Sequence, residues 1–345
     1  MTDARKDQRP SGARLKYSFL SILTGSDLSR RRLPMMSAAS TNPGPVVWLT
    51  ACGHGDEVGG MVAIQDVFKR LRKTPLLQGA VHAFPLMNPL GFETASRHIT
   101  PTEEDLNRSF PGSRAGSLGE RIAHRIFTTI METRPALVLD LHNDWMKSVP
   151  YTLLDPFPGA NHAAAYDVAS DVSQAAGLLV VRDTDEAHRT LSYSLLRHDV
   201  PALTLELGGS YVVDERLTRI GRGVIWRILT HLGMTPPIEE PLDHTVPADL
   251  RDEFLRYVDT PIASTSGVIR FLVEPGRRVK HAQAVARTYN AFGKLQETLA
   301  APGDGILLGH ADSSVVFPGM RCMAFGCLQE QPTAEGTADR AAPLA

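Results

Sequence analysis

The chain has 345 residues, 43% of them hydrophobic, with 36 basic and 38 acidic side chains and a formal net charge of -2. That length buries a sizeable core and calls for one large domain plus a smaller one. The near balance of charge argues against nucleic acid or a membrane surface as the main partner and directs attention to small-molecule chemistry, while leaving room for a homo-oligomer.

Cys52, Cys322 and Cys327 form neither a CxxC pair nor an even set, so no disulfide framework or cysteine zinc knuckle is expected and a reducing, cytoplasmic setting fits. The apolar run Tyr17 to Leu23 is short for a signal-peptide core, and Arg30, Arg31 and Arg32 follow it where a small-residue cleavage site belongs; no export signal is read. No stretch is long enough to span a bilayer.

In chain order, residues 1–34 are basic and polar without clear periodicity and read as an N-terminal extension whose first half is mobile. Val46 to Cys52 is an apolar run of strand length that ends in Gly53, and Met61 to Leu71 follows with helical spacing of Ile64, Phe68 and Leu71. Ala80 to Leu86 reads as a strand, Leu118 to Thr133 as a helix, and Ala136 to Leu141 and Ala202 to Leu207 as buried strands. The expected fold is α/β, a mixed open sheet with helices on both faces, over residues 35–240.

Pro236, Pro237, Pro241 and Pro247 break the alternation and read as a linker, placing a domain boundary between about 237 and 262. Residues 260–328 then show short β-type runs between turn signals, a small C-terminal all-β domain. Residues 329–345 are rich in Ala, Pro and Thr and read as a disordered tail.

Gly53-His54-Gly55-Asp56-Glu57 directly follows a buried strand, and the loops beyond the carboxyl ends of strands are where open α/β sheets bind ligands. His142 follows the ALVLDL run at its own carboxyl end. Two histidines and one glutamate make a hydrolytic zinc set, one ion per chain, that leaves a coordination position for water. Taken singly, His54 is a loop residue, Glu57 a helix-start carboxylate and His142 a satisfied strand-end histidine; the metal reading rests on all three together.

Glu206 closes the apolar strand ALTLELGG, where a carboxylate is costly unless paired or used, and is assigned as general base and later proton donor. Between the ligands lie Asn88-Pro89, Arg97 and Asp105-Leu106-Asn107-Arg108; an arginine there forks onto a carboxylate or stabilises an oxyanion. Asp144 and Trp145 either shape a pocket or pack beneath a loop, and Cys52 reads as a buried, inert thiol.

The ordered motifs HGDE, NP…R, DLNR, DLH and ELG resemble the succinylglutamate desuccinylase/aspartoacylase family, which is related to zinc carboxypeptidases. The resemblance spans roughly residues 35 to 235. It implies that His54, Glu57 and His142 hold zinc, that Glu206 is the catalytic carboxylate, that Arg97 polarises the scissile carbonyl, and that Asn107 and Arg108 grip the substrate. One departure stands out: between Glu186 and Pro201 no arginine has the spacing that aspartoacylases use for their substrate's side-chain carboxylate. Arg189 and Arg197 are nearby but unaligned, which argues against N-acetylaspartate.

The segment from Ser266 to Gly309 is similar to half of a biotinyl/lipoyl-type barrel, with Lys294 near the carrier-lysine position but Phe292, Gly293 and Leu295 in place of flanking methionines. It reads as a structural or pocket-capping domain, with modification of Lys294 and a reach of Tyr289 into the site as alternatives. Three functions remain open: removal of an acyl group from a small N-acyl amino acid or amine, carboxypeptidase-like cleavage of short peptides, and binding without catalysis.

Overall fold

The structure is a computed structural model that describes residues 15–24, 28–144, 147–184, 188–237 and 241–329. Residues 330–345 of the tail expected at 329–345, the first residues of the N-terminal extension and Trp145 lie outside the described residues.

The elements in chain order are β1 (Lys16–Thr24), β2 (Arg30–Ala39), β3 (Val46–Ala51), α1 (Gly59–Leu71), β4 (Ala80–Phe84), α2 (Pro89–Phe92), α3 (Leu118–Glu132), β5 (Leu137–His142) and β6 (Lys147–Ser148). There follow β7 (Tyr151–Leu154), α4 (Ala163–Ala175), β8 (Leu179–Arg182), α5 (Leu191–Leu196), β9 (Ala202–Glu206) and α6 (Glu215–His231). The C-terminal part consists of β10 (Phe254–Val258), β11 (Gly267–Phe271), β12 (Arg278–Val279), β13 (Ala284–Tyr289), β14 (Leu295–Ala300), β15 (Gly305–His310), β16 (Val315–Val316) and β17 (Met323–Cys327).

A mixed sheet in the order β1-β2-β4-β3-β5-β9-β7-β8-β10-β17-β15-β12 runs through the molecule. Strands β4, β3, β5 and β9 are parallel neighbours, and β7 enters antiparallel to β9. The centre is buried on both faces. Leu137, Leu139 and Leu141 of β5 pack with α1, α4 and α6, while Val138 packs with α3 and α5 on the other side. Continuous apolar runs follow from this double burial. Helix α3 starts at a capping box, with Ser117 accepting from Glu120 N and Glu120 reaching back to Ser117 N.

Three features depart from the sequence reading. Residues 16–24 and 30–39 form two antiparallel strands at the end of the sheet, not an irregular extension: Leu20, Ile22 and Leu23 pack against the core while Tyr17 and Phe19 face out. The arginines of β2 mask this alternation. The expected linker contains β10, which pairs with β8 and β17, so the C-terminal strands β17, β15 and β12 continue the main sheet. Among the described residues β14-β13-β11-β16 form a second, small all-β sheet in the C-terminal region, as expected there. Residues 147–184 and 188–200, to which the sequence reading assigns no element, supply β7, α4, β8 and α5.

Candidate active site

Alternation along the central strands sets polar residues on the face that carries Val138 and Ala202. Thr50, Asp140 and Thr204 stand in register across β3, β5 and β9, and one step nearer the carboxyl ends His142 faces Glu206, which in turn faces Tyr151 of β7. A row of polar groups at the end of an apolar sheet requires partners.

The loop after β3 brings His54 and Glu57 to the same edge. It lies directly on α2: a Cβ on Gly55 would come within 2.0 Å of the Gly91 carbonyl carbon, and one on Gly91 within 2.6 Å of the His98 carbonyl oxygen. Only two glycines permit this backbone contact, and Gly55 N donates to Ser96 O at 3.0 Å. Asn88 caps α2 by accepting from Gly91 N.

Glu57 lies between the two imidazoles, with Oε1 2.6 Å from His54 Nδ1 and Oε2 2.7 Å from His142 Nδ1. Asn143 N also donates to Oε2. All three side chains are buried, and their ligand atoms lie within 4.8 Å of one another. The outer nitrogens face carboxylates: His54 Nε2 is 3.1 Å from Asp105 Oδ1, and His142 Nε2 is 3.0 Å from Asp140 Oδ2. Thr50 donates to the other oxygen of Asp140. Carboxylates behind the rings turn both Nδ1 atoms inward, the arrangement that metal-binding histidines require. Two inward nitrogens and one carboxylate oxygen, all buried, fit a zinc ion.

Burial opposes ionisation of Glu57, but its interactions with the His54 and His142 imidazoles prevail and hold its pKa below the usual range. Glu206 behaves oppositely: burial, reinforced by the negative charge of Asp144, raises its pKa well above the ordinary value. Its Oε2 has no hydrogen-bond partner among the described residues. Burial likewise pushes Asp144 up to about 7, and Tyr151 Oη donates to it at 2.6 Å.

His54, Glu57, His142, Glu206, Arg97, Asn107 and Arg108 all line one cavity of about 330 Å³. Arg97 donates through Nε and Nη2 to Asp105 Oδ2, and its Nη1 stands 3.6 Å from Glu57 Oε1. Asn107 accepts from Leu191 N, with its amide nitrogen 3.4 Å from His142 Nε2, and Arg108 donates to the Asn107 carbonyl. Asp144 lines the cavity as well.

Other readings fall away from the site. Arg189 pairs with Glu120, Arg197 bonds to Pro158 O, and neither lines the cavity. Tyr289 lies under Arg270, and Lys294 sits in the β13–β14 turn, where Asn290 accepts from its backbone N. The C-terminal region instead contributes Tyr257, Asp259 and Arg321. Cys52 is buried, its thiol donates to Glu57 O, and burial pushes its pKa up to about 12. Sequence reasoning missed Asp105 and Asp140 as ring partners, although both lie inside the quoted motifs DLNR and DLH.

The N-alpha-acetyl-L-2,4-diaminobutyric acid deacetylase of Halomonas elongata is 28% identical over 306 residues, covering 85% of this chain and 86% of that protein. The product-bound ectoine utilization protein EutE (DoeB) of Ruegeria pomeroyi superposes with a TM-score of 0.77 at 21% identity, covering 91% of this chain and 95% of that one. A metallo-carboxypeptidase from Burkholderia cenocepacia shares the fold more distantly, with a TM-score of 0.50 at 16% identity over 63% of this chain and 65% of its own. Among the described residues no helix is long and apolar enough to cross a membrane. Residues 43–232 match the succinylglutamate desuccinylase/aspartoacylase catalytic domain, and the chain belongs to that family.

Proposed function

We propose that this protein is a zinc-dependent amidohydrolase that removes an acyl group from a small N-acylated amino acid. The observation that carries the reading is the convergence of His54, Glu57 and His142 with the unpartnered oxygen of Glu206 in one small cavity.

His54, Glu57 and His142 would hold zinc, which when bound would supply the Lewis acidity that lowers the pKa of water. Glu206 takes the proton from the attacking water at Oε2 and delivers it to the leaving nitrogen. Arg97, held in place by Asp105, directs its guanidinium at the charge that develops on the carbonyl oxygen. Asn107 and Arg108 hold the substrate's carboxylate, for which a guanidinium has the matching fork.

A cavity of about 330 Å³, walled on one side by Tyr257, Asp259 and Arg321, has the size of a small-ligand site and supports an N-acyl amino acid over a polypeptide. The Halomonas relative, named for an N-acetyl amino acid, supports the same substrate class.

The test is metal content of the purified protein together with amine release from N-acetyl, N-succinyl and N-formyl amino acids and short peptides, with and without chelator. About one zinc per chain and chelator-sensitive deacylation is the expected result. Cleavage of peptides alone would replace the deacylase by a peptidase, and metal-free protein under all preparations would sink both.

A further inference from the structure

Helices α1 and α6 pack together over the sheet, and a second cavity of about 330 Å³ lies where they meet. Arg70 of α1 and Arg219, Arg222 and Arg227 of α6 line it, and residues 241–243 border it. None of its lining residues lines the active-site cavity.

The helix period explains the grouping. Arg219, Arg222, Gly223 and Trp226 stand at i, i+3, i+4 and i+7 on one face of α6. Gly223 lets Leu242 lie directly on this face, since a Cβ there would stand 2.7 Å from Leu242 Cδ2. Trp226 is buried, its indole N–H donates to Pro236 O at 3.0 Å, and the Arg70 guanidinium lies 4.7 Å from its ring centroid. The fixed ring thereby holds a charge from α1 against the arginine face of α6.

Positive charge exceeds negative among the described lining residues. Arg222 stands 3.8 Å from Asp66, and Asp243, the one carboxylate among those residues, is bonded to Arg216. Arg219 and Arg227 are exposed and pair with no carboxylate among the described residues. Like charges at i and i+3 on a helix repel, and a concave wall concentrates their field. An oxyanion relieves that repulsion, because a guanidinium offers it a fork of charge-assisted hydrogen bonds. Arg219 and Arg227 are eight residues apart on α6, about 12 Å along a helix axis, which is more than a single phosphate spans.

We propose that this cavity binds a small polyanion carrying two phosphate or carboxylate groups, at a site separate from the reaction. The proposal does not depend on the deacylase reading.

The experiment is calorimetric titration of the purified protein with pyrophosphate and with glutarate, against inorganic phosphate and acetate. Pyrophosphate or glutarate is expected to bind with a Kd below about 1 mM and about tenfold or more tightly than its single-group control; which of the two does so names the anionic group. Arg219→Gln and Arg227→Gln, both at exposed positions, are each expected to weaken that binding about tenfold, whereas Arg108→Gln in the active-site cavity leaves it unchanged. Glu239 and Glu240 precede Pro241 in the sequence and lie outside the described residues, so a variant with both replaced by glutamine is titrated as well. No binding of either probe, no preference over the single-group controls, or affinity that falls with Arg108→Gln and not with Arg219→Gln or Arg227→Gln would overturn the site. Binding that emerges only in the Glu239→Gln, Glu240→Gln variant would also overturn it, since the arginines would then serve the chain's own carboxylates.

Discussion

Asp140 Oδ2 lies 3.0 Å from His142 Nε2, and the two residues stand two apart on β5, so one face of one strand carries both the imidazole and the carboxylate that orients it. His54 obtains the same partner from a distant loop, through Asp105. With Asp140→Asn the ring loses its anionic partner while the buried volume stays the same. Metal affinity, measured by competition with a chromogenic chelator, is expected to fall about 10- to 100-fold with the fold retained. Unchanged affinity would show that the strand alone sets the ring.

Glu206→Gln is expected to keep zinc and lose turnover by about 100-fold or more, since the amide cannot accept the proton. His142→Ala should lose both metal and activity. Near-full activity of Glu206→Gln would remove Glu206 from the mechanism.

The two cavity arginines are expected to separate kinetically. Arg97→Ala should lower kcat by about 100- to 1,000-fold, as loss of an oxyanion donor does, whereas Arg108→Ala should act mainly by raising KM. Equal effects on both constants in both variants would contradict this division of roles.

Gly91→Ala tests the backbone contact beneath the metal loop. The added carbon would meet Asn88 Nδ2 at 2.5 Å and His98 O at 2.6 Å, so something must shift. Overpacking of this kind costs roughly 1 to 3 kcal/mol, seen as a lower Tm in thermal unfolding, with weaker metal retention because Gly55 rests on the same segment.

Asp155 ties stability to pH. Its folded pKa of about 7 lies above the ordinary value of 3.8, so the folded state holds the proton more tightly than the unfolded chain does. The stabilising contribution is complete below about 4 and is lost as pH rises through about 7. Melting curves should therefore show wild type losing stability relative to Asp155→Asn across that interval. A gap that does not change with pH would mean that Asp155 titrates like an exposed carboxylate.

The sequence alone singled out His54, Glu57 and His142, which the structure brings within 4.8 Å of one another, because these residues break local rules: His142 and Glu206 are polar ends of otherwise apolar strands, and the HGDE loop follows a strand too apolar to be anywhere but the centre of a sheet. Those signals are local and survive without knowledge of the fold. Strand existence was legible for the same reason in β3, β4, β5 and β9, and not in β1, which lies at the sheet edge with Tyr17 and Phe19 exposed, or in β2, whose first three residues are arginines.

What the tertiary structure decided is which charges meet. Asp105, Asp140, Asp155 and Asp183 are ordinary aspartates in the sequence. Only strand register and loop path place two of them behind imidazoles and two beside a cavity, because side-chain direction along a strand has period two and a shift of one residue would turn every such group to the opposite face. The continuation of the main sheet into the C-terminal strands is of the same kind: backbone pairing of β8 with β10 joins segments separated by the α5-β9-α6 stretch and a proline-rich connection, and no composition of either strand announces its partner.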